Sequence, residues 1–119
     1  MGAKSSFLRI AKKESVKSTH SMNMGCVIVS GPNIIGRGHN IHKTNPRFGS
    51  GNGITLHAES MALIDAYSKL WDLTGCEAYI YRKGNLMARP CKHCLDHLKY
   101  AGIKKIHYTC DEELVEEKI

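Results

Sequence analysis

Two short segments contain side chains that could bind a metal ion and carry a proton. The first is His57-Ala58-Glu59, and the second is Pro90-Cys91-Lys92-His93-Cys94. Together they supply one imidazole, two thiols and one carboxylate. Two thiolates and a neutral imidazole make a tetrahedral type of nitrogen and sulfur site that suits zinc. The two segments therefore predict a zinc site formed by His57, Cys91 and Cys94.

This predicted site has three protein ligands, whereas structural zinc sites usually have four. The fourth position is then left for a water molecule, whose pKa zinc lowers from roughly 15.7 to about 7. Glu59 lies two residues from His57, so we expect it to reach that water and act as a proton carrier. His93 is a poor fourth ligand, because it lies about 100° around a helix from Cys94. His97 lies near the face of Cys94 and stays an open alternative.

Both segments are predicted to begin helices. Residues 57–71 are apolar on nearly every side, which predicts a central and largely buried helix. Pro90 at a first helical position favours the start of another helix. On that helix Cys91 and Cys94 are three residues apart and point the same way. Two positive helix ends would then converge on one ion and favour thiolate over thiol.

The remaining chain supplies strands and one further helix. An amphipathic helix is predicted over residues 4–18, and residues 40–56 are predicted to form a long irregular loop. Five strands are predicted from apolar and β-branched runs between turn residues. They comprise residues 25–30, 34–39, 77–82, 103–108 and 114–119.

The connection before residues 114–119 is too short for a helical crossover, which favours an antiparallel hairpin. A short helix is the alternative for this segment. Strands that alternate with helices predict an α/β fold, a three-layer α/β/α sandwich around a mixed sheet of four to five strands. The length of 119 residues fits one domain over residues 1–119.

The formal net charge is +6, but the charges are distributed unevenly. Residues 1–110 contain 16 Lys and Arg against six acids, which leaves this part near +10, and residues 111–117 contain five acids. A basic body favours an anionic ligand such as a nucleotide phosphate or a nucleic acid. A solvated lysine-rich surface explains the same charge equally well.

Cysteine usage and the short apolar runs bear on location. A Cys-x-x-Cys pair in a chain with no export signal indicates a metal or redox site, not a disulfide framework. Cys26 and Cys76 lie in apolar surroundings and are predicted to be small core residues. The apolar runs are too short to span a membrane. We therefore expect a cytoplasmic protein.

The two segments resemble the signature of the zinc-dependent cytidine/deoxycytidylate deaminase superfamily, H-x-E followed by P-C-x-x-C. The order of predicted elements over residues 5–108 is similar to the family fold, and Gly38-His39-Asn40 resembles the family's Gly-x-Asn. One difference is residues 83–89, an insertion before Pro90 that is absent from many relatives.

The resemblance implies a chemistry and a set of site residues. His57, Cys91 and Cys94 would bind zinc, and Glu59 would shuttle protons. Hydroxide would attack C4 of a cytosine and release ammonia. Asn40 would contact the base or sugar, and the backbone of Ala58 would meet the polar edge of the ring.

The substrate is the least determined part. We expect a free nucleotide such as dCMP, or a nucleoside. A deaminase of cytosine or adenine in single-stranded DNA or RNA, a guanine or adenosine deaminase and a non-catalytic zinc-binding module are alternatives. The oligomeric state is left open, and a homo-oligomer is considered because relatives are often oligomers. The side chains that could bind phosphate or stack on a base, with solvated or core positions as the alternative for each, are Lys43, Arg47, Arg82, Arg89, Lys92, Phe48 and Tyr81.

Overall fold

The computed structural model describes residues 3–18, 23–44, 53–85, 87–110 and 113–119. Three α-helices, one short 3₁₀ helix (Lys83–Asn85) and seven strands are found in these ranges. The α-helices are α1 (Ala3–Ser15), α2 (Ala58–Tyr67) and α3 (Lys92–Ala101). The strands are β1 (Met24–Ser30), β2 (Asn33–His39), β3 (Ile41–Thr44), β4 (Gly53–Leu56), β5 (Glu77–Arg82), β6 (Lys105–Cys110) and β7 (Glu113–Lys118).

Five of the strands form the central sheet, in the order β2-β1-β5-β6-β7. Only the pairing of β5 with β6 is parallel among these neighbours. Helix α1 packs on one face of the sheet, and α2 and α3 pack on the other. The predicted three-layer sandwich with a mixed sheet is confirmed, and so is the antiparallel final strand.

Strand β1 is the centre of the core. Cys26, Val27 and Ile28 are 0% exposed. Because side chains alternate along a strand, Cys26 and Ile28 face α2 and α3, whereas Val27 and Val29 face α1. Strand β1 is therefore covered on both faces.

Helix α2 lies directly on the backbone of β2. A Cβ atom added at Gly38 would lie 2.3 Å from the nitrogen of Ala62 and 2.5 Å from the oxygen of Ala58. A glycine is therefore required for this close approach. The contact fixes the first turn of α2, which carries Glu59 and follows His57.

Gly38→Ala is expected to lower the free energy of unfolding by about 1–3 kcal/mol, because the new methyl group must displace helix backbone. Urea denaturation measures this change. Gly31→Asn is the control, since Gly31 has a φ of +58° and open space around it, and asparagine tolerates that conformation. Equal stability of the two variants would contradict the tight contact between β2 and α2.

Two predictions about the segments around His57 were wrong. Residues 40–56 were expected to be irregular, but β3 and β4 form an antiparallel pair in which Ile41 lies opposite Leu56. Pairing between segments this far apart along the chain leaves little local signal. The helix predicted over residues 57–71 ends at Tyr67.

Helix α2 is also less buried than predicted. Ile64 is 66% exposed, and Trp71, beyond the helix, is 91% exposed. Apolar composition cannot tell which side of a helix another element covers, and the sheet covers only one side of α2. Helix α1 is also shorter than predicted, since it ends at Ser15 rather than at residue 18.

No helix among the described residues has the length and apolarity needed to cross a bilayer.

Candidate metal centre

His57, Cys91 and Cys94 come together at one point of the molecule. Each residue offers one donor atom, and the three donor atoms all lie within 4.8 Å of one another. His57 and Cys91 are exposed, whereas Cys94 is buried. The structure therefore assembles the three predicted ligands from two distant segments of the chain.

Two helix N-termini meet at this cluster. His57 is the N-cap of α2 and Cys91 is the N-cap of α3, and neither side chain makes a capping hydrogen bond. Serine, threonine, aspartate or asparagine would stabilise such a position by about 1 kcal/mol relative to alanine. Both helices therefore lack the side-chain hydrogen bond that often stabilises a helix N-terminus. The side chains of the two uncapped positions, His57 and Cys91, belong to the cluster instead.

The start of α3 differs from the prediction. Pro90 was expected at the first helical position, but α3 begins at Lys92, and Cys91 has extended backbone angles (φ −65°, ψ 164°). The Cys91 carbonyl oxygen accepts a hydrogen bond from the backbone of Leu95 at 2.8 Å. Cys94 is the third residue of the helix. The two thiols thus come from the N-cap and the first turn, near the positive end of the helix dipole.

Glu59 lies beside the cluster as the second residue of α2. Its side chain is 3% exposed and contacts the Cys94 thiol. Burial raises the pKa of the Glu59 carboxyl above its ordinary value, although its own backbone N–H, His57 and Cys94 oppose the shift. A carboxyl group that is buried beside the cluster in this way is placed to accept and return a proton.

The donor set fits a divalent cation. Burial raises the pKa of the Cys94 thiol well above its ordinary value, and the Glu59 carboxylate and Cys91 raise it further. A bound metal ion supplies the positive charge that such a buried thiolate needs. One nitrogen and two sulfur donors match the preferences of zinc.

Neither His93 nor His97 belongs to the cluster. Their rings contact each other, with centroids 4.5 Å apart, on the exposed side of α3. His97 lines a groove of about 370 Å³ between α2 and α3, together with Ile64 and Tyr67. Among the described residues, the alternative of a fourth ligand from His97 finds no support.

Asn40 comes directly after β2 and Ala58 begins α2, and these two elements pack against each other at Gly38. Asn40 is 4% exposed. Its side-chain oxygen accepts a hydrogen bond from the backbone N–H of Met24 at 2.9 Å. Ala58 is the first residue of α2, so its N–H has no acceptor within the helix.

The aromatic candidate Tyr81 does not join the cluster. It is buried on the α1 face of the sheet, in a group with Phe7 and Tyr79. The alternation of side chains along β5 places Ile80 on the other face, which α2 and α3 cover. The structure therefore favours the alternative that Tyr81 is a core residue. The other aromatic candidate, Phe48, lies outside the described residues.

The basic candidates are only partly described. The Arg89 guanidinium donates to both carboxylate oxygens of Glu117 on β7, at 3.0 and 2.9 Å. A phosphate would have to compete with this pair for Arg89. Lys43 lies on β3, but its side chain is outside the described part of the structure, as is all of Arg47.

The other two basic candidates are described. The Arg82 guanidinium donates to the backbone oxygen of Met87 at 3.4 Å. Lys92 is exposed at the first residue of α3. Neither position contradicts a role in phosphate binding, which stays a prediction for both.

Two features of the site were not anticipated. Cys26, correctly predicted as a buried core residue, faces the cluster: burial raises its thiol pKa strongly, and Glu59 and Cys94 are close enough to add to this. The alternation of side chains along β1 was the sequence signal that could have placed Cys26 on the side of the cluster. The second feature is that two acids near the C-terminus pair with basic residues of the rest of the chain. Glu116 lies 3.4 Å from Lys105, and Glu117 binds Arg89.

A family model described as "Cytidine and deoxycytidylate deaminase zinc-binding region" matches residues 1–110. A tRNA-specific adenosine deaminase of Streptococcus pyogenes serotype M18 is 31% identical over 111 residues, which are 90% of this chain and 62% of that protein. Similar proteins from other serotypes match at the same identity. The chain thus spans about three fifths of the length of these curated relatives.

Solved structures show the same fold. The dCMP deaminase of cyanophage S-TIM5 has a TM-score of 0.67 and 26% identity, with 87% of this chain and 79% of that chain covered. A cytidine deaminase from Burkholderia pseudomallei has a TM-score of 0.76 at 16% identity, with 96% and 91% covered. The latter likeness concerns the fold alone.

Proposed function

The chain belongs to the cytidine and deoxycytidylate deaminase family, and we propose that it catalyses the zinc-dependent hydrolytic deamination of a nucleobase. One observation carries this proposal. It is the cluster of His57, Cys91 and Cys94 at two helix N-termini, with the buried Glu59 beside it. In this proposal the three clustered residues hold the ion and Glu59 handles protons.

The chemistry requires a nucleophile and a proton carrier. When bound, zinc supplies the Lewis acidity that makes water nucleophilic at neutral pH. Glu59 accepts a proton from the attacking water and returns it to the departing amine. At a cytosine the water oxygen bonds to C4 and the bond between C4 and the exocyclic amine nitrogen breaks, so the products are uracil and ammonia. No redox partner is needed.

Binding of the base is assigned to Ala58 and Asn40. The Ala58 N–H at the start of α2 is a donor for an oxygen on the ring. Asn40 comes directly after β2, two residues after the glycine that contacts the first turn of α2. Both residues can therefore approach a base that is held against Glu59.

For the substrate we propose a free cytosine nucleotide, of which dCMP is the leading member, or its nucleoside. The similarity to a dCMP deaminase over 87% of this chain supports this choice. The ion pairs of Arg89 and Lys105 with acids of β7 also reduce the basic surface that a polynucleotide would need.

A second candidate is an adenosine in RNA, with water attacking C6 of adenine. The 31% identity to tRNA-specific adenosine deaminases favours it. A polynucleotide substrate would bind through several phosphates, so its apparent affinity should fall steeply as salt increases. A free nucleotide should show a much weaker dependence.

A substrate panel tests the proposal. Ammonia release should be measured from dCMP, CMP, deoxycytidine, cytidine, a cytosine-containing DNA oligonucleotide and an adenosine-containing tRNA stem-loop, with zinc measured on the same sample. Turnover of dCMP with one zinc per chain is the expected result. Turnover of the stem-loop alone would replace the leading substrate with the second candidate. Bound zinc with no ammonia from any substrate would favour a non-catalytic zinc-binding module.

Three other predictions accompany this proposal. They are a single domain over residues 1–119, a cytoplasmic location and a homo-oligomer. Light scattering coupled to size-exclusion chromatography would test the last of these directly.

A further inference from the structure

The chain that enters Cys91 is attached to strands β6 and β7. The Ala88 N–H donates to the Thr109 backbone oxygen on β6 at 2.8 Å, and Ala88 is buried in the core. The guanidinium of Arg89 donates to both carboxylate oxygens of Glu117 on β7, through Nε at 3.0 Å and through Nη2 at 2.9 Å. One backbone bond and two side-chain bonds therefore hold this segment just before the first cysteine of the cluster.

The carboxylate of Glu117 is itself held in place. The Tyr108 hydroxyl donates to Glu117 Oε2 at 3.2 Å, and Tyr108 is buried in the core on the side of α2 and α3. The hydrogen bonds from Arg89 hold the pKa of the Glu117 carboxyl below its ordinary value, so it is ionised at neutral pH. A bidentate pair of arginine with a carboxylate has a defined geometry, which most surface ion pairs lack. The buried tyrosine thus anchors the pair to the sheet.

The position of the Cys91 thiol depends on the backbone that leads into it. Cys94 is 0% exposed within α3, so helix geometry and core packing place its sulfur. Cys91 is exposed at the N-cap, with extended backbone and no capping hydrogen bond from its side chain. Because one side-chain torsion separates the backbone from Sγ, the sulfur follows any shift of the Cys91 backbone. A zinc–sulfur bond of about 2.3 Å tolerates a deviation of only about 0.2 Å.

We propose that Glu117 is a positioning residue of the metal centre: through its ion pair with Arg89 it fixes the chain that enters Cys91, and so places the Cys91 thiolate on the zinc ion. Strand β7, all of which the structure describes, then contributes to zinc affinity although it supplies no residue to the cluster. The inference rests on the proposed function, because it takes the cluster as a zinc site, but it is tested on metal binding without any substrate.

Glu117→Gln keeps the shape of the side chain and removes its charge. A glutamine cannot accept hydrogen bonds at both of its terminal atoms, so one of the two bonds from Arg89 is lost. The zinc Kd should then rise about five- to tenfold, less than the cost of losing a group that touches a metal ligand directly. Competition with a chromophoric zinc chelator measures the Kd, and the thermal midpoint of the metal-free protein measures fold stability.

Glu116→Gln is the matched control. Glu116 precedes Glu117 on β7, and its carboxylate lies 3.4 Å from Lys105 and 3.5 Å from His107. Because side chains alternate along a strand, these contacts lie on the opposite face of the sheet from Arg89. The same charge is removed from the same strand, and the zinc Kd should stay that of the wild type. An equal rise of the Kd in both variants would overturn the inference.

A double-mutant cycle decides whether Glu117 acts through Arg89. Arg89→Gln should raise the zinc Kd by about as much as Glu117→Gln, because either change breaks the same pair. The double variant should then be no weaker than the weaker single variant, since residues that act as one unit are not additive. Effects that multiply in the double variant would overturn the inference, because the two residues would then act independently.

Cobalt(II) gives a spectroscopic readout of the Cys91 thiolate. Cobalt(II) can occupy nitrogen and sulfur sites of this kind, and its bonds to thiolates give charge-transfer absorption. In Glu117→Gln this band should be weaker or shifted, whereas Glu116→Gln should give the wild-type spectrum. A loss of stability alone does not change the spectrum of the folded, metal-saturated protein. A wild-type band in Glu117→Gln would contradict the positioning role.

The outcomes separate this inference from the proposed function. If the wild type releases ammonia but Glu117→Gln keeps the wild-type zinc Kd, the inference is wrong and the proposed function stands. If the wild type binds zinc but releases no ammonia from any substrate of the panel, the proposed function fails, and the zinc Kd of Glu117→Gln still decides the inference. A wild type that binds neither zinc nor cobalt would overturn both.

Discussion

Glu59→Gln is expected to abolish most of the ammonia release while leaving zinc bound. Glutamine has the same shape as glutamate but cannot take a proton from water, and general acid–base catalysis contributes about 10²–10⁴-fold to a rate. Since Glu59 is buried beside Cys94, the neutral side chain should also fit without a large loss of stability. The measurements are kcat for the substrate identified by the panel, and zinc per chain by mass spectrometry.

Glu77→Gln is the matched control for this prediction. Glu77 is also an acid in the sheet region, but its partners are His107 on β6, at 2.7 Å, and Lys104, at 4.0 Å. Its replacement should affect stability and leave kcat close to that of the wild type. Full activity in Glu59→Gln would contradict the assigned proton carrier, and loss of zinc would show that Glu59 acts on the metal instead.

Cys94→Ala is expected to lose both zinc and activity. The residue is 0% exposed and supplies one of only three clustered donors, so no neighbouring side chain in the cluster can replace it. A metal present at about 1,000 times its Kd stabilises a fold by about 4 kcal/mol. At about 4 °C per kcal/mol, a chelator should lower the wild-type Tm by more than about 10 °C.

The same chelator should have little effect on the Tm of Cys94→Ala, because that variant has no bound metal to lose. Cys76→Ala is the control, since Cys76 is also a buried thiol of the core cluster but lies outside the metal cluster. It should keep one zinc and the response to chelator. A Cys94→Ala protein that retains one zinc per chain would show that the ligand set is different.

Much of the fold could be predicted from the local sequence. Strand β5 was predicted with its observed bounds, and β7 was predicted as an antiparallel partner of β6. These elements are determined by apolar alternation and by the lengths of their connections. Strands β3 and β4 were missed, because their pairing depends on contacts between segments that are separated by residues 45–52.

The same contrast holds for the residues around the site. The types and spacing of His57, Cys91 and Cys94 were enough to predict a shared zinc site, because few arrangements of these donors serve another purpose. Basic residues gave no comparable signal. Arg89 was considered as one of several side chains that could bind phosphate, and nothing in the sequence indicated its ion pair with Glu117.

The sequence by itself therefore predicted the kind of chemistry, since ligand type and motif spacing are properties of the chain. Only the tertiary structure decided how that chemistry is held. It placed two uncapped helix ends at one cluster, buried Glu59 beside them, and tied the chain before Cys91 to β7 through Arg89 and Glu117. These are long-range contacts, and their geometry depends on packing between elements that no local pattern encodes.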